Sequence, residues 1–566
     1  MATLDDFTRT PRIGYFSMEI ALRNEIPTYS GGLGVLAGDT VRTAADLDLP
    51  LVSVTLVSRE GYFRQSIDEQ GRQVEQPAPW EPAQWAEPLG AKIAVRVEGR
   101  PVWIGAWLYV LEGHMGGRQP VVLLDTELDE NRDDDRRITH YLYGGDEAYR
   151  LRQEIVLGIG GVRMLRALGF RLEHYHMNEG HSALLALELL NEHAYAAEDL
   201  RPGELPFDIP AVRDLCSFTT HTPVEAGHDR FPYDVVQRSP GDFDDLPTLR
   251  HLAGEDRLNM TRLAINLSEY VNGVAKRHAE VSRRMFPGYQ VHAVTNGVHP
   301  ATWTAQSFFR LYDAHLPGWC HEPELLVRGE CCLGDDEVWT AHEEAKQALI
   351  EHIAQTTGRA FDPVVPIIGF ARRMTEYKRP DLLFRDLDRL REIGRRWPLQ
   401  IVLAGKAHPR DAGGKRLIEA LHAHIGRLSP EIAVAYLPDY DMATAQALVS
   451  GSDVWLNTPL RPMEASGTSG MKAAFNAVPH LSVLDGWWAE ACIEGVNGWA
   501  IGDDTDGPED RDGARLYEKL EGVVLPLYHG DRGGWVRVMK GAIAKSAGLF
   551  NSHRMMRRYA AEAYLH

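Results

Sequence analysis

Five short apolar runs in the second half of the chain, Val364–Phe370, Leu399–Ala404, Ile432–Leu437, Val454–Asn457 and Leu481–Leu484, alternate with amphipathic stretches at Asp381–Ile393, Lys415–Leu428, Met442–Ser450 and Met471–Ala477. Each run has the length of a strand and is apolar throughout, as expected of a strand buried on both faces. Parallel strands need crossover connections, and crossing helices cover both faces of the sheet they join. The pattern therefore predicts a doubly wound α/β arrangement. The first half repeats the order less regularly. An apolar run at Ile13–Phe16, the glycine turn Gly31-Gly32-Leu33-Gly34, a helix-like stretch to Asp48 and a second run at Leu51–Val57 suggest a βαβ unit. Residues Lys92–Leu111 alternate like antiparallel strands inserted on that sheet, and the charge-dense Asp129–Arg137 reads as a solvated loop or helix start. Helices are expected over Glu154–Leu168 and from Gly180 to about Glu192, and strands near His174–Met177 and over Leu215–Thr220. The break between halves is placed near Asn296–Ala305, with Phe308–Leu333 as a connector and Ser552–Leu565 as a final helix.

At 566 residues the chain exceeds what one core usually accommodates, so at least two domains are expected. A net charge of −20 disfavours a nucleic-acid or anionic-membrane partner, although a small anion can still bind at a locally basic site. The cysteines Cys216, Cys320, Cys331, Cys332 and Cys492 form neither a disulfide framework nor a metal spacing. Met1–Arg12 is polar, and no run reaches membrane-spanning length. These features predict a cytoplasmic protein of enzyme size.

Three local patterns carry candidate chemistry. Glu464-Ala465-Ser466-Gly467-Thr468-Ser469-Gly470-Met471-Lys472 follows a strand-like run and opens a helix. Small residues let backbone approach a phosphate, and helix-start N–H groups favour anions. Lys472 could hold that phosphate as a point charge, form a Schiff base to a phosphate-bearing aldehyde cofactor, or be a surface lysine on a loop. The stretch Arg372-Arg373-Met374-Thr375-Glu376-Tyr377-Lys378-Arg379 places four cations after a buried strand, either as an anion site or as a solvated helix start. The Gly31-Gly32-Leu33 turn suits a phosphate, a nucleotide or a merely structural role. His221 ends a predicted strand, where a structural histidine is the simpler reading, and Asn296-Gly297 is by itself a turn. His278 reads as a packing residue. His174, His176 and His181 have spacing that zinc could use, but no metal site is assigned to them.

The segment ending at Lys472 resembles the pyridoxal-phosphate attachment site of the α-glucan phosphorylases. The likeness continues through Ala473-Ala474-Phe475-Asn476 and Leu481–Glu490, a tail typical of the short bacterial and archaeal members, and extends from Tyr15 to the C-terminal helix. It implies a glycosyltransferase-B fold with two doubly wound Rossmann-like domains, residues 1–300 and 301–551, around an active-site cleft, and with 552–566 packing back on the first domain. It also implies reversible, retaining phosphorolysis of glycogen or maltodextrin to α-glucose 1-phosphate (EC 2.4.1.1), with inorganic phosphate as the other substrate. Pyridoxal phosphate is implied as a cofactor that acts through its phosphate. By this resemblance Lys472 carries the cofactor, Arg373 and Lys378 bind substrate phosphate together with Gly31, Gly32 and Leu33, and His221 meets the glucose 6-hydroxyl. Thr468, Ser469 and Arg372 approach the cofactor phosphate, and Tyr440 lines its pocket. Asn296, Tyr377, Glu464, Ser466 and Gly467 match glucose contacts. Glu225 stands where short relatives carry proline, which puts the shape of that loop in question. A homodimer is compatible with the resemblance, and phosphorylation control is not expected, since no extension precedes the first strand. Two rivals remain at this stage: a nucleotide-sugar-dependent glucan synthase on the same fold, and a catalytically silent glucan-binding protein.

Overall fold

Apolar runs that must be buried on both faces become neighbouring parallel strands. The computed structural model describes residues 4–196, 198, 200, 203–238, 241–503 and 510–565; the start of the polar N-terminal stretch, residues 1–3, and His566 of the expected final segment lie outside them. In the first half the strands are β1 (Ile13–Ser17), β2 (Leu51–Leu56), β3 (Arg100–Glu112), β4 (Arg118–Asp125), β5 (His174–Asn178), β6 (Cys216–Thr219), β7 (Tyr270–Gly273) and β8 (His292–Ala293). In the second half they are β9 (Ile367–Ala371), β10 (Gln400–Ala404), β11 (Ala433–Leu437), β12 (Val454–Asn457), β13 (His480–Val483) and β14 (Gly498–Ile501). Four helices position the cleft: α1 (Gly32–Asp46), α2 (Gln306–His315), α3 (Ser469–Ala474) and α4 (Ser552–Tyr559).

Among the described residues the larger sheet runs β8-β7-β6-β5-β1-β2-β4-β3, with Glu87–Pro88 and Ile93–Val97 both pairing with β3. Its pairs are parallel from β8 to β4, and β3 lies antiparallel to β4. The second sheet runs β11-β10-β9-β12-β13-β14 and is parallel throughout. The protein is thus a mixed α/β structure built on parallel sheets. Successive side chains of β1 serve different faces: Ile13 and Tyr15 join the core under α1 and α4, while Phe16 joins the core on the other side. No helix among the described residues is long and apolar enough to cross a membrane.

Several local expectations shift. β9 begins at Ile367 because Val364 lies in a turn, its N–H donated to the Asp362 side chain, and is 76% exposed. Over Asp381–Ile393 the regular helix starts only at Leu387, where the Asp386 carboxylate caps the Arg389 N–H. Phe308–Leu333 is not a simple connector. α2 occupies its start, and Phe308, Leu311, Tyr312 and Trp319 are buried in the core of the second sheet. The spacing of Phe308, Leu311 and Tyr312 is that of one helical face, so the signal was present in the sequence. β14 was not anticipated, because Gly498-Trp499-Ala500-Ile501 is short and has a single β-branched residue.

The chain returns to the first sheet at its end. Asn551 caps α4 by accepting the Arg554 N–H at 2.8 Å. The Tyr559 hydroxyl meets Asn272 Nδ2 at 3.0 Å and Thr219 Oγ1 at 3.2 Å, and Met555 and Met556 pack against the α1 side of the sheet. Gly297 makes this return possible, since a Cβ there would lie 2.0 Å from the Asn551 carbonyl oxygen. Met556 is fully buried, so Met556→Ala is expected to cost about 2–5 kcal/mol. The thermal midpoint should fall and the C-terminal segment should become an early site of limited proteolysis. A wild-type midpoint and digestion pattern would show that α4 adds nothing to stability.

Candidate functional site

In parallel sheets of this kind ligands collect outside the carboxyl ends of the strands. Here a cavity of about 850 Å³ opens between the two sheets, and both halves of the chain line it. Gly31, Gly32, Leu33, His221 and Asn296 contribute from the first half. Arg372, Arg373, Tyr377, Lys378, Tyr440, Glu464, Ser466, Gly467, Thr468, Ser469 and Lys472 contribute from the second. Every residue that the resemblance assigns to a binding or catalytic role therefore lines one cavity.

The loop after β12 turns through Gly467, at φ 79°, and enters α3 at Ser469. Ser469 Oγ accepts a hydrogen bond from the Trp455 indole at 2.9 Å, which fixes the loop to the strand beneath. One turn on, Asn476 Nδ2 donates to the carbonyls of Lys472 and Trp303, and its Oδ1 accepts the Ala305 N–H. The Lys472 ammonium rests 3.8 Å above the centre of the Trp303 ring, and the Trp303 indole N–H donates to Asp39 of α1. Burial lowers the Lys472 pKa to about 8, against the opposing pull of Asp39.

Arg372 and Lys378 converge on Glu464. Arg372 Nη2 lies 2.5 Å from Glu464 Oε2, and Lys378 Nζ reaches both carboxylate oxygens at 2.6 and 2.7 Å. Burial by itself would raise the Glu464 pKa, but the two cations outweigh it and hold the carboxyl at about 2. Its backbone N–H donates to Asp485, whose own pKa is pushed up to about 6, chiefly by burial. Lys378 Nζ also lies 4.5 Å from the Tyr377 ring centre. Arg373 crosses to the glycine turn, and a Cβ on Gly31 would lie 3.2 Å from its Nη2. The Gly31 N–H, expected to face an anion, donates instead to Glu19 Oε2, as does the Ser30 N–H. That turn thus carries its own carboxylate.

His221 is held at two points. Its N–H donates to Glu179 Oε2 at 2.7 Å, and its Nε2 lies 2.7 Å from Asn178 Oδ1. Asn178 Nδ2 donates to Ser17, which fixes the amide orientation and makes His221 Nε2 the donor. Burial, with His278 and His181 nearby, lowers the His221 pKa to about 3, so the ring is neutral with Nδ1 as its acceptor. Among the buried atoms of lining residues without a hydrogen-bond partner are Arg372 Nη1, Ser466 Oγ and Asn296 Oδ1. Tyr440 is partly buried, and burial raises its pKa.

The three histidines with zinc-like spacing do not converge. His174 and His176 pair with Ser217, Thr219 and Tyr564 inside the first sheet, whereas His181 faces Asp229 at the cavity. His278 is buried and accepts the Val274 N–H. Glu225 pairs with Arg230 at the exposed rim, within a short turn at Glu225–Gly227. Sequence reasoning missed Glu19, Tyr143, Glu179 and Lys406, which also line the cavity. Glu179 is a buried non-glycine residue at φ 72°, a strain of about 1–3 kcal/mol that its bonds to His221, Thr222 and Gly180 sustain. Lys406 had a usable signal, since it is a lone cation just beyond the end of β10.

A family model described as Carbohydrate phosphorylase matches residues 217–496. A maltodextrin phosphorylase of Thermococcus litoralis is 39% identical, over 97% of this chain and 70% of that protein. A glycogen phosphorylase of Mycobacterium tuberculosis is 37% identical, over 98% of this chain and 70% of its own length. A glycogen phosphorylase of Aquifex aeolicus is 36% identical, over 98% of this chain and 86% of its own length.

The buried Lys472 gives a stability prediction. Its pKa is about 8 in the folded chain against 10.5 for the free group. Between those values the unfolded chain binds the additional proton, so this lysine's penalty is full below pH 8 and fades as pH rises towards 10.5. Replacing it by methionine should stabilise the ligand-free protein at pH 7 by up to about 3 kcal/mol, and the gain should shrink towards pH 10. Thermal midpoints across that range test it; a variant less stable than wild type at pH 7 would contradict the assigned burial penalty.

Proposed function

Because the chain belongs to the carbohydrate phosphorylase family, we propose that it is a retaining α-1,4-glucan phosphorylase, which transfers the terminal glucose of glycogen or maltodextrin to inorganic phosphate and releases α-glucose 1-phosphate. The observation that carries the reading is the convergence of Lys472, Arg372, Arg373, Lys378 and the neutral His221 on one cavity between two parallel sheets. The order of the second sheet, β11-β10-β9-β12-β13-β14, supports two Rossmann-like domains in a glycosyltransferase-B arrangement. We take these as residues 1–300 and 301–551, with 552–566 returning to the first. The free cysteines support a cytoplasmic setting, and a homodimer is expected from the family alone.

The residues present fit pyridoxal phosphate. Lys472 has a depressed pKa, and the unpartnered Arg372 Nη1 and Ser466 Oγ lie on the same wall. Lys472 would hold the cofactor, with Thr468, Ser469, Arg372 and Tyr440 around it. When bound, the group supplies a phosphate that exchanges a proton with the substrate phosphate. The chain's own residues do the rest. Arg373 and Lys378 concentrate positive charge where the attacking phosphate must lie, with Gly31, Gly32 and Leu33 opposite. That charge would hold the anionic phosphate in place, and the phosphate would pair with the positive charge developing in an oxocarbenium-like transition state. His221 Nδ1 is left to accept a sugar hydroxyl, because Nε2–H is committed to Asn178. Asn296 Oδ1, Tyr377, Glu464, Ser466 and Gly467 complete the sugar wall. Burial of these groups keeps water from competing with phosphate.

The expected outcome is strictly phosphate-dependent release of glucose 1-phosphate from maltoheptaose. Glucose transfer from ADP- or UDP-glucose without phosphate dependence would favour the synthase-type alternative, and oligosaccharide binding with no turnover in either direction would favour a silent glucan binder. Lys472→Ala should be purified without the cofactor's absorbance and without activity. Arg373→Ala should keep the cofactor and lose about 10²–10³ in kcat. A cofactor-loaded, active Lys472→Ala enzyme would overturn the assignment.

A further inference from the structure

Two buried cations of the cleft, Arg372 and Lys378, share Glu464. Lys472 differs: among the described residues no carboxylate lies within salt-bridge distance of its ammonium, which faces the Trp303 ring 3.8 Å from its centre. At the edge of that ring the indole N–H forks to both oxygens of Asp39, at 2.9 and 3.1 Å. Asp39 and Trp303 are fully buried, and Lys472 nearly so. A carboxylate on the indole N–H pushes electron density into the ring and makes its face a better partner for a cation. Arg42, one turn along α1, opposes this pull. Its Nη1 lies 3.9 Å from Asp39 Oδ1 with no hydrogen bond, while Nη2 donates to the Ala21 and Leu22 carbonyls. His299, also close to Asp39, accepts the Thr302 N–H at Nδ1 and donates Nε2–H to Asp46, with buried His553 3.7 Å from the same carboxylate oxygen. Burial lowers the His299 pKa, so this ring adds no charge at neutral pH. One carboxylate thus faces two cations, of which the guanidinium keeps its proton and the ammonium can release it.

We propose that Asp39, acting through the Trp303 indole, is a positioning residue for Lys472: it holds the amine over the ring in its charged form and so sets how readily the amine is freed as a nucleophile. The assignment rests on reading Lys472 as the lysine that carries an aldehyde cofactor. A charged amine is held by the ring face, whereas a neutral one loses that attraction, so proton loss and release towards the cavity go together. Lys472 and Trp303 both line the cavity, so the freed amine has open space to enter. The balance of forces on Lys472 agrees with this geometry. Burial is the largest influence and lowers its pKa, Asp39 pulls it up and Arg42 pushes it down. Asp39 thereby keeps a buried ammonium in place that would otherwise be more costly to desolvate.

The test uses the full-length protein, treated with hydroxylamine to release any bound aldehyde, with acetic anhydride as the probe. Only the neutral amine is acetylated, so labelling of the Lys472 peptide, read by mass spectrometry against pH, titrates this one lysine. The wild-type midpoint should lie near 8. Asp39→Asn, with its fold checked by circular dichroism, should lower the midpoint by about one pH unit or more, which raises labelling at neutral pH roughly five-fold. Trp303→Phe keeps a ring face but loses the N–H, and should lower the midpoint by a smaller amount; it carries the test if the asparagine variant does not fold. The proposal is overturned if either folded variant titrates Lys472 at or above the wild-type midpoint. Because acetic anhydride needs no cofactor, this result is independent of whether the chain takes up pyridoxal phosphate, which the absorbance of the bound cofactor reads separately.

Discussion

The cleft depends on one carboxylate. Arg372, Arg373 and Lys378 emerge within seven residues beyond the end of β9, and Arg372 and Lys378 are almost fully buried. Two desolvated cations this close would oppose folding, since each loses its hydration and each repels the other. Glu464 resolves the conflict by accepting from both, and its backbone N–H is in turn fixed by Asp485. The cations are thereby ordered before any ligand arrives. In the proposed reaction an incoming phosphate would meet cations already ordered, which is the condition for electrostatic catalysis without reorganisation at the moment of reaction.

A second constraint aligns the two walls. Trp303 lies at the crossing between the halves and touches both: its indole N–H reaches Asp39 of α1, its ring carries the Lys472 ammonium, and its carbonyl accepts from Asn476 just beyond α3. The position of the lysine is thus tied to the helix that begins at the glycine turn. Glu19 does the corresponding work on the other wall, gathering the Ser30 and Gly31 N–H groups and the Tyr143 hydroxyl. These few polar ties set the geometry, while the apolar cores on either side supply most of the stability.

What the sequence made legible was local. Strands of the second sheet, the basic loop after β9 and the segment leading into α3 are contiguous patterns, and the resemblance placed their residues on one wall. Bonds between distant segments left no such trace. Glu179 lies close to His176 and His181 in sequence, and nothing in its surroundings announces that its carboxylate holds His221. Glu19 likewise looks ordinary until the turn folds over it. The Gly31 turn shows the same limit from the other side, since its motif suggests an open anion cradle whereas Glu19 already holds the Gly31 N–H. The helical character of Phe308–Leu333 was visible in its spacing but hidden by the Pro317-Gly318 and Pro323 punctuation.

The Asp46, His299 and His553 cluster is the extreme case, with its members in three segments that meet only when α4 returns. Its position also bears on the cleft. α1 has 15 residues, roughly 20 Å of helix, with the glycine turn at one end, Asp39 in the middle and Asp46 at the other. His299 precedes Trp303 by a single helical turn. The hydrogen bond from His299 Nε2 to Asp46 therefore holds the far end of α1 against the segment that carries Trp303, which keeps Asp39 and Trp303 in register. Order at this buried pair is thus carried along one helix to Trp303, whose ring positions the Lys472 ammonium.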